Sequence, residues 1–550
     1  MKKILAGAAI FSLLAGAAGA DPRLDETRLA QHIRILSADD FEGRGPATPA
    51  EAKTVDYLVK ALSQAGAQPG GSPLPSGGRG WTQDVPLARF EIKGPVAVSA
   101  KVGPETLTWA QGDQVALRAP QTNIDHLTVK DAPLVFLGYG VKAPERSWDD
   151  FKGVDLKGKI GLVLVNDPDF ETGEGDFGGK AMTYYGRWTY KYEEAARQGA
   201  LGLLVIHETA PAAYGWATVK NSNTISIFDI IRDDPTKAHP PLEGWIQRDA
   251  TIDLFKRAGL DFEALKAVAR TRDFKPVALN GVSLSADFAV DAQKVISKNV
   301  AAVVTGAKRP DEYVVYTAHW DHLGVGPADA KGDTIYNGAV DNAAGVSGLI
   351  ELARAFAKGP KPERSVLFLA VTAEEKGLLG SEYYADNPLY PLGKTVADIN
   401  MDGAGVNGPA RDISTSGDAP LTLQDDLIAL AKSRGRSFTP DARPEAGSFY
   451  RSDHFPLAKR GLPAISFKSG QDLESGGVAA GKAAADAYTR DRYHQPADEF
   501  NPAWKFDGMS NDLGLLLDLG QQLANSRAWP EWKAGSEFKA VRDQSAAMRQ

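Results

Sequence analysis

Apolar residues recur at three- and four-residue spacing over positions 24–36 and 50–65, which predicts two amphipathic helices. Gly43-Arg44-Gly45-Pro46 interrupts the pattern between them, because glycine and proline break helical periodicity. A Gly/Pro/Ser-rich stretch at 69–80 reads as an exposed loop, and residues 90–107 alternate as strands do. From about 116 to 283 the texture changes. Short apolar runs at 134–137, 160–165 and 201–206 read as buried strands, with a helical pattern at 190–198 before the last. From Asn299 onward, strand patterns at 300–305, 313–317, 366–372, 396–401 and 463–467 are separated by helical patterns. One of these, 340–357, places Val346, Leu349, Ile350, Ala353 and Phe356 on a single face. Such alternation predicts an α/β fold with a mainly parallel sheet covered on both sides. No internal repeat is present, and the charged segment after Ala528 reads as a peripheral tail.

At 550 residues the chain is long enough for two to four domains. The balance of 62 basic against 70 acidic residues, net −8, argues against nucleic acid or an anionic membrane as partner. The first twenty residues stand apart. Lys2 and Lys3 precede an apolar run at 4–14, and Ala18-Gly19-Ala20 follows it, the layout of a cleavable export signal too short to span a bilayer. No other stretch reaches 18 apolar residues, so the mature chain is expected without a membrane span, exported to the periplasm or beyond. The absence of cysteine removes disulfides, thiolate catalysis and thiolate-ligated metal.

Candidate chemistry lies directly after the strand patterns. The strand at 313–317 leads into His319-Trp320-Asp321, that at 366–372 into Glu374-Glu375, and that at 396–401 into Asp402. In open α/β sheets the functional crevice lies beyond the carboxyl ends of the strands. Asp341 follows Tyr336-Asn337-Gly338 and opens the amphipathic helix. Each residue has a plainer reading: Asp341 as an N-cap, His319 as a core histidine, Glu374-Glu375 as an acidic first turn. Their joint occurrence favours a metal site. Zinc takes imidazole nitrogen and carboxylate oxygen where no thiolate exists, and manganese and cobalt use similar donors. A two-metal centre needs about five protein ligands around ions roughly 3.5–4 Å apart. His319, Asp341, Glu375 and Asp402 supply four, and His454 and His494 compete for the fifth place.

The segments TAHWDHLG from Thr317, NGAVDNAAGVSGLIELARAF from Asn337, VLFLAVTAEEKGLLGSEYYA from Val366 and INMDGAG from Ile399 closely resemble the M28 family of zinc exopeptidases. YRSDHFPLAKRGLPAISF from Tyr450 and DRYHQPADEF from Asp491 complete the set, in the family's order. The resemblance implies a three-layer zinc-exopeptidase fold holding two Zn2+ ions. It gives the fifth place to His494, pairing His319 with Asp402 on one ion and Glu375 with His494 on the other, with Asp341 bridging. It makes Glu374 the general base and Tyr493 a donor to the developing oxyanion. His454 either lines the site or is structural. Asp321 reads as a carboxylate orienting the His319 imidazole, with an ordinary loop aspartate as the plainer alternative.

Separately, GYG at 138–140, DLKGKIGLVL from Asp155 and EEAARQGALGLLVI from Glu193 resemble a protease-associated (PA) domain, a β-rich insertion that serves as lid or spacer. The expected organisation is a signal at 1–20, an N-terminal part of the peptidase domain at 21–115, the PA domain at 116–283, the catalytic domain at 284–528 and a tail at 529–550. The expected activity is aminopeptidase cleavage of peptide substrates. A carboxypeptidase or dipeptidase fits the same core, and a glutaminyl cyclase or a non-catalytic binding protein are the remaining alternatives. Gly476 to Lys482 resembles a phosphate loop, but Ala483 stands where that motif needs Ser or Thr, so the segment reads as a flexible loop. Oligomeric state leaves no signal.

Overall fold

The structure is a computed structural model that describes residues 23–122, 124–223 and 226–549. The expected export signal at 1–20 lies outside the described residues. Among the described residues no helix is long and apolar enough to cross a membrane.

One 16-stranded mixed sheet organises the chain. At its heart, strand Arg309–His319 lies between Thr395–Met401 and Arg364–Val371, parallel to both, and Ala464–Ser469 continues the parallel set beyond Thr395–Met401. Alternate residues of a strand face opposite sides of the sheet. Val314 and Tyr316 therefore enter one core with Leu29, Leu58, Leu349, Phe356 and Leu517, whereas Val315 enters another with Leu367, Tyr384 and Leu457. This is the three-layer arrangement expected, helices on both faces of a mainly parallel sheet. A strand buried on both faces must be apolar along its whole length, which is why these strands appear as continuous runs.

Local signals set the covering helices. Asp25 caps Glu26–Leu36 by accepting the Arg28 N–H at 3.0 Å. Pro49 opens Pro49–Ala65, and Gly66 ends it in the left-handed region (φ 100°) that favours glycine. Helix Gly345–Lys358 buries Val346, Leu349, Ile350, Ala353 and Phe356 as the periodicity predicts. Truncating a buried side chain such as Phe356 to alanine removes about 3–5 kcal/mol of stability.

A second body is built on strands His126–Phe136, Ile160–Leu164, Gly202–His207 and Leu242–Gln247, parallel neighbours in that order. Helix Trp188–Arg197 covers one face through Tyr192 and Ala195, and Arg248–Arg257 with Phe262–Ala269 covers the other through Leu254, Phe255 and Phe262. The two bodies share Val277–Val304, a strand of 28 residues paired antiparallel with Thr82–Val102 and, at its far end, with Arg364–Val371. Ala88, Phe90, Val98, Trp109 and Leu117 pack in the second body's core. The cores thus separate earlier in the chain than the expected boundary at 115/116, because the alternating run at 90–107 is half of this connecting ribbon. The segment read as a flexible loop at 476–482 instead begins helix Gly477–Asp491. Its alanines, the best helix formers, outweigh the interrupting Gly481.

Candidate metal centre

Three adjacent parallel strands end at the site. The central one terminates in His319, its neighbours lead into Asp402 on one side and Glu374-Glu375 on the other, and strands about 4.8 Å apart bring these side chains together. Asp341 arrives from the segment before helix Gly345–Lys358, and His494 from the segment after Gly477–Asp491. His494 (φ 56°) and Ala373 (φ 52°), which precedes Glu374, hold left-handed backbone that non-glycine residues adopt only when their surroundings impose it.

The donor atoms converge. His319 Nε2 lies 3.3 Å from Asp341 Oδ1 and 3.3 Å from Asp402 Oδ1. His494 Nε2 lies 3.3 Å from Asp341 Oδ2 and 3.2 Å from Glu375 Oε2. A single ring N–H cannot point along two directions at once, so hydrogen bonding does not explain two carboxylates around each nitrogen. Metal ligation does: bonds of about 2.0–2.1 Å at the tetrahedral angle separate two zinc ligands by about 3.3 Å. The donor set fits two zinc ions, and the two oxygens of Asp341 divide between the two groups. His319, Asp341 and Glu375 also form one compact ligand cluster, and His319, Glu374 and Asp402 another.

Electrostatics of the metal-free chain express the same crowding. Burial would push His319 down, but Glu374, Asp341 and Asp402 outweigh it and hold the imidazole well above its usual range. Burial likewise opposes, and Glu375 and Asp341 reverse, the shift that takes His494 up to about 10. Glu375 is held at about 2 against its burial by His322 and His494. Metal uptake must therefore displace protons from both histidines. Glu374 differs from the rest. Burial, reinforced by Asp402, Glu375 and Asp453 and opposed by His319, raises its carboxyl well above the usual range. Among the described residues none donates a hydrogen bond to that carboxylate.

The supporting contacts depart from expectation in places. The group within hydrogen-bond distance of His319 Nδ1 is the Asp321 backbone carbonyl at 3.1 Å, whereas the Asp321 carboxylate stands 3.9 Å off and accepts the Glu374 backbone N–H at 3.1 Å. Asp321 thus orients the base's main chain as well as the imidazole. Asp341 does not open the helix and makes no cap; the Asp341–Asn342 peptide is cis, and Asn342 Oδ1 accepts the N–H groups of Gly345 and Gly403 at 3.0 and 2.9 Å. Tyr493 stacks on His494, ring centroids 3.9 Å apart, and is 46% exposed. His454 is fully buried against Phe449 and pushed down to about 3 by burial and Lys468, apart from the donor set.

Sequence reasoning missed four positioning groups. His322 is fully buried with Nδ1 2.6 Å from Glu375 Oε1. Asp498 accepts the N–H groups of Val340 and Asp341 at 3.1 Å, fixing the segment that carries the shared carboxylate. Ser452 donates to Asp402 Oδ2 at 2.7 Å and receives Asn400 Nδ2 at 2.7 Å. Arg44, buried, donates to the carbonyls of Trp320, Leu36, Asn337 and Gly338 at 2.7–2.8 Å and ties together the segments around His319 and Asp341. The first three lie inside the quoted motifs, and Arg44 inside the helix-breaking Gly43-Arg44-Gly45-Pro46.

The centre opens into a cleft of about 1020 Å³ between the two bodies, with Glu374, Glu375, Tyr493 and His494 on one wall and Trp188, Tyr192 and Phe228 on the other. Lys459 Nζ to Glu193 Oε1 at 2.5 Å and Arg232 Nη2 to Glu382 Oε1 at 3.1 Å bridge it. On the second body His239 lies 2.7 Å from Glu243 and 3.1 Å from Asp229, whose charges outweigh burial and raise it from 6.5 to about 10. A raised folded-state value stabilises fully below about 6.5 and is lost as pH climbs towards about 10, at up to about 1.4 kcal/mol per pH unit. Thermal denaturation of wild type and His239→Gln is expected to show a stability gap that shrinks across that window. A gap independent of pH would contradict the charged triad.

Residues 299–513 match the family model described as Peptidase family M28. A probable zinc metalloprotease of Pyrenophora teres f. teres is 39% identical over 116 residues, 21% of this chain and 24% of the relative. A glutamate carboxypeptidase 2 homolog of Caenorhabditis elegans is 24% identical over 399 residues, 62% of this chain and 46% of the relative. The solved aminopeptidase from Aneurinibacillus sp. strain AM-1 is 20% identical with a TM-score of 0.49, covering 92% of this chain and 95% of its own. The match to the Pyrenophora relative thus spans about a quarter of that protein's length.

Proposed function

Because residues 299–513 are a peptidase family M28 domain, we propose that the protein is an exported zinc metallo-exopeptidase, an aminopeptidase that hydrolyses N-terminal peptide bonds. One observation carries the reading: four donor separations of 3.2–3.3 Å, shared between two histidines through one carboxylate, beside the Glu374 carboxylate, which among the described residues accepts no hydrogen bond. The pattern of residues 1–20 supports export, and sequence relatives named as an aminopeptidase of Mus musculus and as a glutamate carboxypeptidase 2 homolog support exopeptidase chemistry.

His319 and Asp402 would hold one zinc ion and Glu375 and His494 the other, with Asp341 available as a donor to both. When bound, the pair supplies Lewis acidity, polarising the scissile carbonyl and bringing a water's pKa towards neutrality. Glu374 takes the proton of the attacking water and passes it to the leaving amine. Its backbone is fixed by Asp321, so its carboxylate faces the space between His319 and Asp402. The Tyr493 hydroxyl, protonated at neutral pH as a phenol normally is, donates to the oxygen that gains charge. The second body, whose sequence resembles a PA domain, forms the far wall of the cleft.

The test is digestion of a peptide library with product sequencing, with and without a chelator. Stepwise release of N-terminal residues is expected from unblocked and carboxy-amidated peptides, lost on chelation and restored by zinc. Cleavage confined to amino-acetylated peptides would replace the aminopeptidase by a carboxypeptidase. Ammonia released from N-terminal glutamine without hydrolysis would point to a cyclase.

A further inference from the structure

The cations lining the cleft fall into two groups. Arg118 pairs with Glu243, Arg197 with Glu193 and Glu194, Arg232 with Asp229 and Glu382, Lys459 with Glu193, and Arg460 with Asp386. Arg187, Arg451 and Lys376 line the same cleft, and among the described residues none of the three side chains has an ion-pair or hydrogen-bond partner, although Lys376 lies over the Phe228 ring. Arg187 Nε is buried and unsatisfied. The arginines are neighbours, close enough for Arg451 to oppose the charge of Arg187; the remaining groups acting on Arg187 are the phenols of Tyr214 and Tyr450, with no carboxylate among them. Arg451 stacks over Tyr214 at 5.9 Å and lies within electrostatic range of Tyr493.

Their placement ties them to the reaction. Arg451 immediately precedes Ser452, which holds Asp402, so it belongs to the wall of the metal centre. Arg187 opens helix Trp188–Arg197 on the opposite body. The pair therefore closes on the cleft from both sides. Like charge opposes the two guanidiniums, and burial of Arg187 Nε adds to the cost with no carboxylate to offset it. An anion between them would relieve both, and arginine's planar fork matches a carboxylate in two parallel hydrogen bonds.

We propose that Arg187 and Arg451 form a subsite for a carboxylate carried by the substrate. The inference rests on the exopeptidase reading and narrows it to peptides with an anionic group within the cleft's reach. Such a group is either the α-carboxylate of a short peptide or an acidic side chain. The subsite would direct the enzyme towards the last step of peptide breakdown, in which short fragments left by endopeptidases become free amino acids.

The zinc-loaded protein, wild type and with Arg187→Gln or Arg451→Gln, would be assayed on Leu-Ala against Leu-Ala-amide and on Leu-Glu-amide against Leu-Gln-amide. Wild type is expected to favour the charged member of one pair by about ten- to a hundredfold in kcat/KM, mostly through KM, the range for a hydrogen bond to a charged group. Preference in the first pair identifies the terminal carboxylate, and in the second an acidic side chain. Either preference should fall towards unity in both variants, and the exposed Arg451 keeps the test decisive should Arg187→Gln fail to fold. No preference in wild type, or a preference that survives in Arg451→Gln, would overturn the subsite. If no peptide were cleaved, the exopeptidase reading would fall instead. Calorimetric binding of Leu-Ala against its amide would then judge the subsite alone: tighter binding of the free acid supports it and equal binding overturns it.

Discussion

Replacing Glu374 with Gln is expected to lower kcat about 10²–10⁴-fold, the usual contribution of a positioned general base, while zinc content and thermal midpoint stay close to wild type. The geometry separates this residue from its neighbour. Glu375 lies 3.2 Å from His494 Nε2 and belongs to a ligand pair, whereas the Glu374 carboxylate receives no hydrogen bond among the described residues. Gln keeps the size and the main-chain link to Asp321 but cannot take a proton. The KM should change far less than kcat, since the loss falls on the transition state. Zinc measured by mass spectrometry, beside single-turnover kinetics, checks both halves. A variant that lost metal would make Glu374 a ligand, and one that kept full turnover would remove it from the chemistry.

Asp341→Asn is expected to do the reverse, emptying the centre. Asp341 Oδ1 and Oδ2 each stand 3.3 Å from a different histidine, so one neutralised side chain weakens both ions together. Activity should fall by more than the roughly 10–100-fold typical of outer positioning residues. Zinc per chain should drop from two towards none. A ligand present at a thousandfold its dissociation constant contributes about 4 kcal/mol to the folded state, so wild type should also lose thermal stability on chelation. Chelator should leave Asp341→Asn nearly unmoved. A variant that retained two zinc ions would refute the bridge.

Much of this was legible in the sequence because the strands that carry the site are buried on both faces. They must be apolar throughout, and the polar residue that ends each run is the one the sheet delivers to its carboxyl edge. His319, Glu375 and Asp402 follow that rule. Asp341 was identifiable as a donor but not in its local setting. The apolar period runs from Val340, so the helix looked longer than it is, and the amide of Asn342 starts it at Gly345. His322 and Asp498 were hidden for another reason. In His319-Trp320-Asp321-His322 the chain leaves the strand, and period alone does not say which ring turns inward. The domain boundary was obscured because Thr82–Val102 and Val277–Val304 each serve two cores, and a strand that crosses between bodies shows no break in pattern. The Arg187–Arg451 pair had no signature, since its residues come from opposite walls and only the fold brings them together.

The most direct test of the two-cation centre is anomalous diffraction at the zinc edge from crystals of the zinc-loaded protein. Two peaks roughly 3.5–4 Å apart, one beside His319 and Asp402, one beside Glu375 and His494, with Asp341 between them, are the predicted result. A single peak, or zinc bound away from Asp341, would contradict the account.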